Sequence, residues 1–327
     1  MRALVYTDPE RIELREVADP VPGPGEVLVR IGAVGICGSD MHAYLGHDDR
    51  RPAPLILGHE AAGYVVGGPR DGERVTINPL VTCGACPACR AGRENLCPER
   101  QIISMPPREG AFAQAVAMPE RNLVTVPEGL SLEEAALAEP LAVGWHAVRL
   151  ALAAGGPGPV LVIGGGAIGV AAALSARAQG AEEVTVIEPH GARRAYLREG
   201  VGLDAVAGDR LAPEDIFPTV IDAVGIGPTR GLATARAAPG GAIAHVGLGD
   251  EGPGLDVRRL TLQEITLIGT YTYTMADFRD TVAAMGAGRL GPLDWVERRP
   301  LTGGAAAFAD LRAGRVARPK VMLDPAG

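Results

Sequence analysis

The rhythm of apolar and polar positions changes near residue 143 of this chain. Before that point the apolar runs are short and punctuated by Gly and Pro. Glu26-Val27-Leu28-Val29-Arg30-Ile31 and Ala61-Ala62-Gly63-Tyr64-Val65-Val66 predict strands. The opening Met1-Arg2-Ala3-Leu4-Val5-Tyr6 predicts a first strand, and the Pro/Gly series at 20–25 a turn into the next. Ser131-Leu132-Glu133-Glu134 has the shape of a capping box and predicts a helix start ahead of an alanine-rich run. From 144 to 278 strand-like runs recur at 160–163, 184–187, 220–222 and 242–246, with helical stretches at 171–179 and 192–199 between the earlier ones. That alternation predicts βαβ units and a parallel sheet covered on both faces. After 279 the pattern returns to mixed helix and strand. We therefore expect one domain from 1–143 with 279–327, and a second from 144–278.

Composition narrows the class. A length of 327 residues, 47% hydrophobic and 21% charged, suits two globular domains with sizeable cores. The net charge of -8 and the absence of any basic run exclude nucleic acid or an anionic membrane as expected partners. Residues 151–176 carry no charge, yet their Gly/Pro cluster and three consecutive glycines predict a loop, a buried strand, a turn and a helix start rather than a membrane span. The N-terminus lacks an apolar targeting core, so a cytoplasmic setting is expected. Lys320 is the single lysine, which reads as compositional bias rather than function.

Four of the five cysteines fall within fifteen residues, as Cys83-x2-Cys86-x2-Cys89-x7-Cys97. In a reducing compartment that clustering favours a metal over disulfides. Four thiolates on one short loop can enclose a tetrahedral zinc, and closed all-thiolate sites are structural. A disulfide pair and an iron–sulfur cluster are the alternatives.

The fifth cysteine lies in Gly35-Ile36-Cys37-Gly38-Ser39-Asp40-Met41-His42. Gly58-His59-Glu60 sets an imidazole beside a carboxylate, and Ala138-Glu139-Pro140 adds another acid. Each piece alone is weak: a lone Cys or His is more often packing, and Glu139 could follow its helix into solvent. Together they offer one thiolate, one imidazole and one or two carboxylates, the ligand set of an open catalytic zinc. Ser39 and His42 suit a proton relay, because a hydroxyl both donates and accepts and histidine titrates near neutrality. His42 could equally be a surface loop histidine. Asp40 is a candidate support for a ligand.

The strand 160–163 runs into Gly164-Gly165-Gly166-Ala167-Ile168-Gly169, a G-x-G-x-x-G motif between strand and helix. Gly164 permits the turn, Gly166 lets a pyrophosphate approach, and Gly169 allows close helix–strand packing, while the helix N-terminus offers free N–H groups. Glu188 follows nineteen residues beyond Gly169 and should bind ribose hydroxyls and repel a 2′-phosphate, which favours NAD. Arg193, with His190 and Arg194, keeps NADP open. Val246, Gly247 and Leu248, with Asp222 to Gly225, are expected to line the same crevice.

The order Cys37, His59-Glu60, four-cysteine loop, Glu139, glycine motif resembles the zinc-containing medium-chain dehydrogenase/reductase (alcohol dehydrogenase) family along essentially the whole chain. The resemblance implies an α/β fold: a β-rich GroES-like catalytic domain plus a Rossmann domain with a doubly wound parallel sheet. It implies two zinc ions per chain, a nicotinamide cofactor and a homodimer or homotetramer. Glu139 stands where the simple alcohol dehydrogenases place a second cysteine ligand. Its Glu-Pro-Leu context resembles the sorbitol, threonine and galactitol-phosphate dehydrogenase branch, in which a water or the neighbouring glutamate completes the metal's shell. Cys37, His59 and Glu60 carry over as ligands, and Glu139 either binds zinc or holds its water. In this pattern Ser39 receives the substrate proton and His42 passes it outward. The implied reaction moves hydride from a secondary alcohol, a polyol or sugar alcohol, to NAD and leaves a ketone. The alternatives are an L-threonine or simple-alcohol dehydrogenase and a non-catalytic zinc- and nucleotide-binding protein. The segment Thr270-Tyr271-Thr272-Tyr273-Thr274 reads as substrate-facing, as an edge strand at a dimer interface, or as both. The sorbitol enzymes carry an arginine where Thr272 aligns, which weakens a sorbitol assignment.

Overall fold

The computed structural model describes residues 1–326, which form two compact units. The first comprises Met1–Glu139, Thr274–Ala287 and the residues from Val296 onward; the second comprises Pro140–Tyr273 and Gly288–Trp295.

The first unit is β-rich. Among the described residues its larger sheet runs Leu123–Thr125, Arg74–Ile77, Glu60–Val66, Glu26–Gly35, Lys320–Asp324, Val296–Pro300, with Ala115–Pro119 also paired to Glu26–Gly35. Glu26–Gly35 forms the spine because its ten residues are long enough to pair along different parts with three partners. A small sheet of Arg11–Glu16, Arg2–Asp8 and Leu55–Ile56 flanks it. The core includes Leu4, Val29, Ile31, Leu57, Met118 and Phe308, all buried. Phe112 meets Phe308 edge-on at 5.9 Å between ring centroids. Such a pair adds about 0.5–1.5 kcal/mol beyond the area it buries.

The second unit holds a six-stranded parallel sheet among the described residues. Its order is Asp204–Val206, Val184–Ile187, Val160–Ile163, Phe217–Asp222, Ala237–His245, Thr266–Gly269. Val160–Ile163 is buried throughout because helices cover a parallel sheet on both faces. The chain winds outward from Val160–Ile163 in one direction and then returns to Phe217–Asp222 on its other side. That reversal makes the switch point at which such sheets bind ligands.

Several elements differ in extent from their sequence reading. The helix expected at 171–179 begins earlier, at Ala167, directly after the glycine turn. The helix at 192–199 is Gly191–Tyr196 followed by a wider turn, Leu197–Val201, that ends at left-handed Gly202. The last strand of the sheet is Thr266–Gly269, so residues 270–273 form no strand and Thr274 caps the next helix. The units divide at Glu139/Pro140, against an expected 143/144, because the first residues of helix Ala138–Gly155 belong to the first unit. Helix Met275–Gly286 also belongs there: the Glu94 side chain accepts from the Met275 N–H, and Gly286 packs closely on Pro127. No described helix is long and apolar enough to cross a membrane.

Candidate active site

The four cysteines of the loop converge as their spacing demands. Their sulfurs lie within 4.8 Å of one another. Cys83 Sγ is 3.9 Å from Cys89 Sγ and 3.5 Å from Cys97 Sγ. Four sulfurs about 2.3 Å from one zinc stand roughly 3.8 Å apart, whereas bonded sulfurs stand about 2.0 Å apart. The loop is therefore shaped for a single ion, and so close a set leaves no room for a multi-iron cluster. Cys83 Sγ accepts the N–H groups of Ala85 (3.5 Å) and Cys86 (3.3 Å), and these hold its thiol down at about 7. Burial among its neighbours pushes the Cys89 thiol up to about 12.

Elsewhere in the first unit, Cys37, His59 and Glu60 bring one donor atom each within 4.8 Å of one another. Cys37 caps helix Gly38–Tyr44 at the end of strand Glu26–Gly35, and Glu60 opens the neighbouring strand. Asp40 ties the two loops together. Its Oδ2 accepts from Cys37 N–H at 2.9 Å and its Oδ1 from Gly58 N–H at 3.2 Å. Oδ1 also lies 3.5 Å from His59 Nδ1, which the Ser104 hydroxyl approaches at 3.3 Å. With Nδ1 so engaged, Nε2 is the nitrogen that could hold a metal.

The electrostatics fit a cation. Burial alone would push the His59 imidazole down, but the Asp40 carboxylate and the Cys37 sulfur outweigh it and raise it well above its ordinary value. Burial would raise Asp40, yet His59 and Arg51 hold its carboxyl below the usual range. Glu60 Oε2 is buried with no hydrogen-bond partner, a vacant acceptor of the kind a metal satisfies.

Glu139, the other candidate acid, is buried rather than solvent-facing, but it stands outside the Cys37–His59–Glu60 group. Ser39 is half-buried and His42 exposed, three residues apart on one face of helix Gly38–Tyr44. His42 therefore lies on a helix, not in a loop. Lys320, which in the sequence reads as compositional bias, is buried, and its Nζ donates to Glu60 Oε1 at 2.6 Å. The cue was its rarity: one lysine among 31 basic residues. Ser104 offered no motif at all.

In the second unit the glycine motif takes the form its chemistry requires. Gly164 has φ +101°, Gly166 caps helix Ala167–Ala178, and a Cβ on Gly169 would lie 1.8 Å from the Gly164 carbonyl oxygen. Ile168 sits in the helix's first turn. Glu188 is buried beyond strand Val184–Ile187; its Oε2 accepts from Gly165 N–H at 3.0 Å and its Oε1 from His190 N–H at 2.8 Å. Arg193 pairs with it at 3.4 Å. Val246 and Gly247 both donate to the Asp222 carbonyl at 3.0 Å, and Leu248 is 77% exposed beyond them. This crevice can seat a dinucleotide: helix N–H groups for phosphate, a fixed carboxylate for ribose.

Residues 23–128 match the family described as alcohol dehydrogenase GroES-like domain, and residues 167–287 the family described as zinc-binding dehydrogenase. The chain belongs to this family of zinc-binding alcohol dehydrogenases. Among named relatives it is 32% identical to L-galactonate-5-dehydrogenase of Escherichia coli over 89% of this chain and 88% of that one. It is 40% identical to sorbitol dehydrogenase of Bacillus subtilis over 58% of this chain and 56% of that one. Among solved structures, an alcohol dehydrogenase from E. coli CFT073 complexed with NADH superposes with a TM-score of 0.89 at 25% identity, over 99% of both chains.

Proposed function

We propose that this chain is a zinc-dependent polyol dehydrogenase that oxidises a secondary hydroxyl of a sugar alcohol or sugar acid to a ketone, with NAD as hydride acceptor. The observation that carries this reading is the trio of half-buried Cys37 with buried His59 and Glu60, with an unsatisfied carboxylate oxygen and no second cysteine. The relatives named for galactonate and sorbitol support the substrate class. Cys37, His59 and Glu60 would hold the catalytic zinc, and Cys83, Cys86, Cys89 and Cys97 the structural one. When bound, the zinc supplies Lewis acidity that eases ionisation of a hydroxyl, and the nicotinamide supplies a hydride acceptor.

The remaining work falls to the chain. Asp40 fixes the loops that carry Cys37 and His59, so the donor set is formed in advance. Ser39 takes the substrate proton, and exposed His42 on the same helix face passes it to solvent. Glu139 acts from beside the donor set and positions a water or the substrate. Gly164, Gly166, Ile168 and Gly169 cradle the pyrophosphate, Glu188 with Arg193 selects the ribose, and Val246, Gly247 and Leu248 line the crevice. Glu188, already fixed by two backbone N–H groups, disfavours a 2′-phosphate and so favours NAD over NADP.

We also read the chain as a homo-oligomer. The open edge strand Thr266–Gly269, with half-exposed Leu267, supports this. The functional test is metal content together with an NAD-linked panel of polyols and sugar acids. Two zinc ions per chain and turnover of at least one such substrate are expected; oxidation of none would overturn the substrate class. A higher kcat/KM with NADP would overturn the role of Glu188.

A further inference from the structure

A buried ammonium stands beside the carboxylate of the Cys37–His59–Glu60 trio, and strand register explains how it gets there. The central strand Glu26–Gly35 lies between Glu60–Val66 and Lys320–Asp324. Gly35 faces Glu60 across one seam and Met322 across the other, and Ile36 N–H donates to the Val321 carbonyl at 2.9 Å. Both flanking strands run antiparallel to the central one, so Glu60 and Lys320 open them at the end where the chain enters the Cys37 loop.

The two side chains are 0% and 2% exposed. Lys320 Nζ donates to Glu60 Oε1 at 2.6 Å and to the Ile36 carbonyl at 3.0 Å. Burial alone would push the ammonium down, but Glu60, Cys37 and Glu139 hold it above its usual value. Glu60 Oε2 has no partner. A Cβ on Gly35 would come within 2.1 Å of that oxygen, so glycine there leaves the space the carboxylate occupies. The arrangement thus treats the two oxygens of one carboxylate differently.

We propose that Lys320 is a positioning residue for the metal site: it engages Oε1 of Glu60 and leaves Oε2 as the single oxygen offered beside Cys37 and His59. This rests on reading that trio as the catalytic metal site. An open zinc site must keep a position for substrate. A carboxylate is able to chelate with both oxygens, and a Glu60 released from Lys320 would be a buried charge without its partner. Its second oxygen would then turn to the same ion and compete with substrate. A compact ammonium suits the task, because a guanidinium fork tends to take both carboxylate oxygens at once.

Cobalt replacement with visible spectroscopy tests this without substrate. The variants are K320M, E60Q and the double variant, which removes both charges and so guards against loss of the fold. In wild-type protein two cobalt ions per chain are expected. K320M should keep both ions but weaken the visible ligand-field absorption, as higher coordination does, and should lower turnover about 10- to 100-fold. In the E60Q background the same Lys320 substitution should leave the spectrum unchanged. An unaltered spectrum in K320M, or an equal change in both backgrounds, overturns the restraint while the catalytic site stands. A wild-type chain that takes up cobalt only at the four cysteines overturns the catalytic site and the restraint with it.

Discussion

At the scale of single residues, the donors were legible because each carries its chemistry in its own side chain. Cys37 stood apart from the cysteine cluster, and His59 came beside an acid. Asp40 was visible only as a candidate support, yet it bonds to both donor loops. Asp40→Asn keeps the shape but removes the charge that faces His59 and one of the acceptors. We expect zinc at the Cys37 site to bind about 10- to 100-fold more weakly, measured by competition with a chromogenic chelator. Unchanged affinity would show that the loops hold themselves. Lys320 was invisible at this scale because a lysine's meaning depends on what it is buried against.

At the scale of elements, the glycine turn and the cysteine loop were readable because both close locally. Gly169 is the sharper test. Any Cβ there meets the Gly164 carbonyl oxygen, a backbone atom that cannot move aside without opening the turn. Gly169→Ala should cost about 1–3 kcal/mol in thermal or denaturant unfolding and weaken NAD binding. A full-stability variant with intact cofactor affinity would contradict the packing argument. For the cysteine loop, each thiol must lose its proton before it binds metal. Acidification should therefore release the structural zinc, followed with a chelator dye. The N–H groups of Ala85 and Cys86 favour the thiolate at Cys83 and hold its metal-free thiol at about 7. Release that does not depend on pH would argue against thiolate ligands. The Thr270–Thr274 stretch shows where element reading stops. It reads as substrate-facing, as an edge strand, or as both; the strand stops at Gly269 and Thr274 caps helix Met275–Gly286, with Asp277 closing the capping box.

At the scale of the whole molecule, the parallel sheet ends in an edge strand, and an uncovered edge invites pairing. Leu267 on that strand is 40% exposed, and Leu262 and Val257 on the preceding helix are 63% and 65% exposed. If the proposed homo-oligomer pairs along this edge, Leu267→Glu lowers the mass measured by light scattering and leaves the monomer folded. An unchanged mass would place any interface elsewhere.

The sequence by itself determined the ingredients: an α/β chain with two kinds of unit, four thiols spaced for one ion, a dinucleotide turn, and a Cys–His–Glu set. These follow from short-range spacing, since a few residues of loop leave few ways to arrange their side chains. Tertiary structure alone decided which acid stands with Cys37 and His59, and what holds that acid. Glu60 is brought beside Cys37 and His59, while Lys320 arrives from 260 residues away. That meeting is set by the register of three strands about Gly35, and register is a property of the assembled sheet that no local spacing encodes.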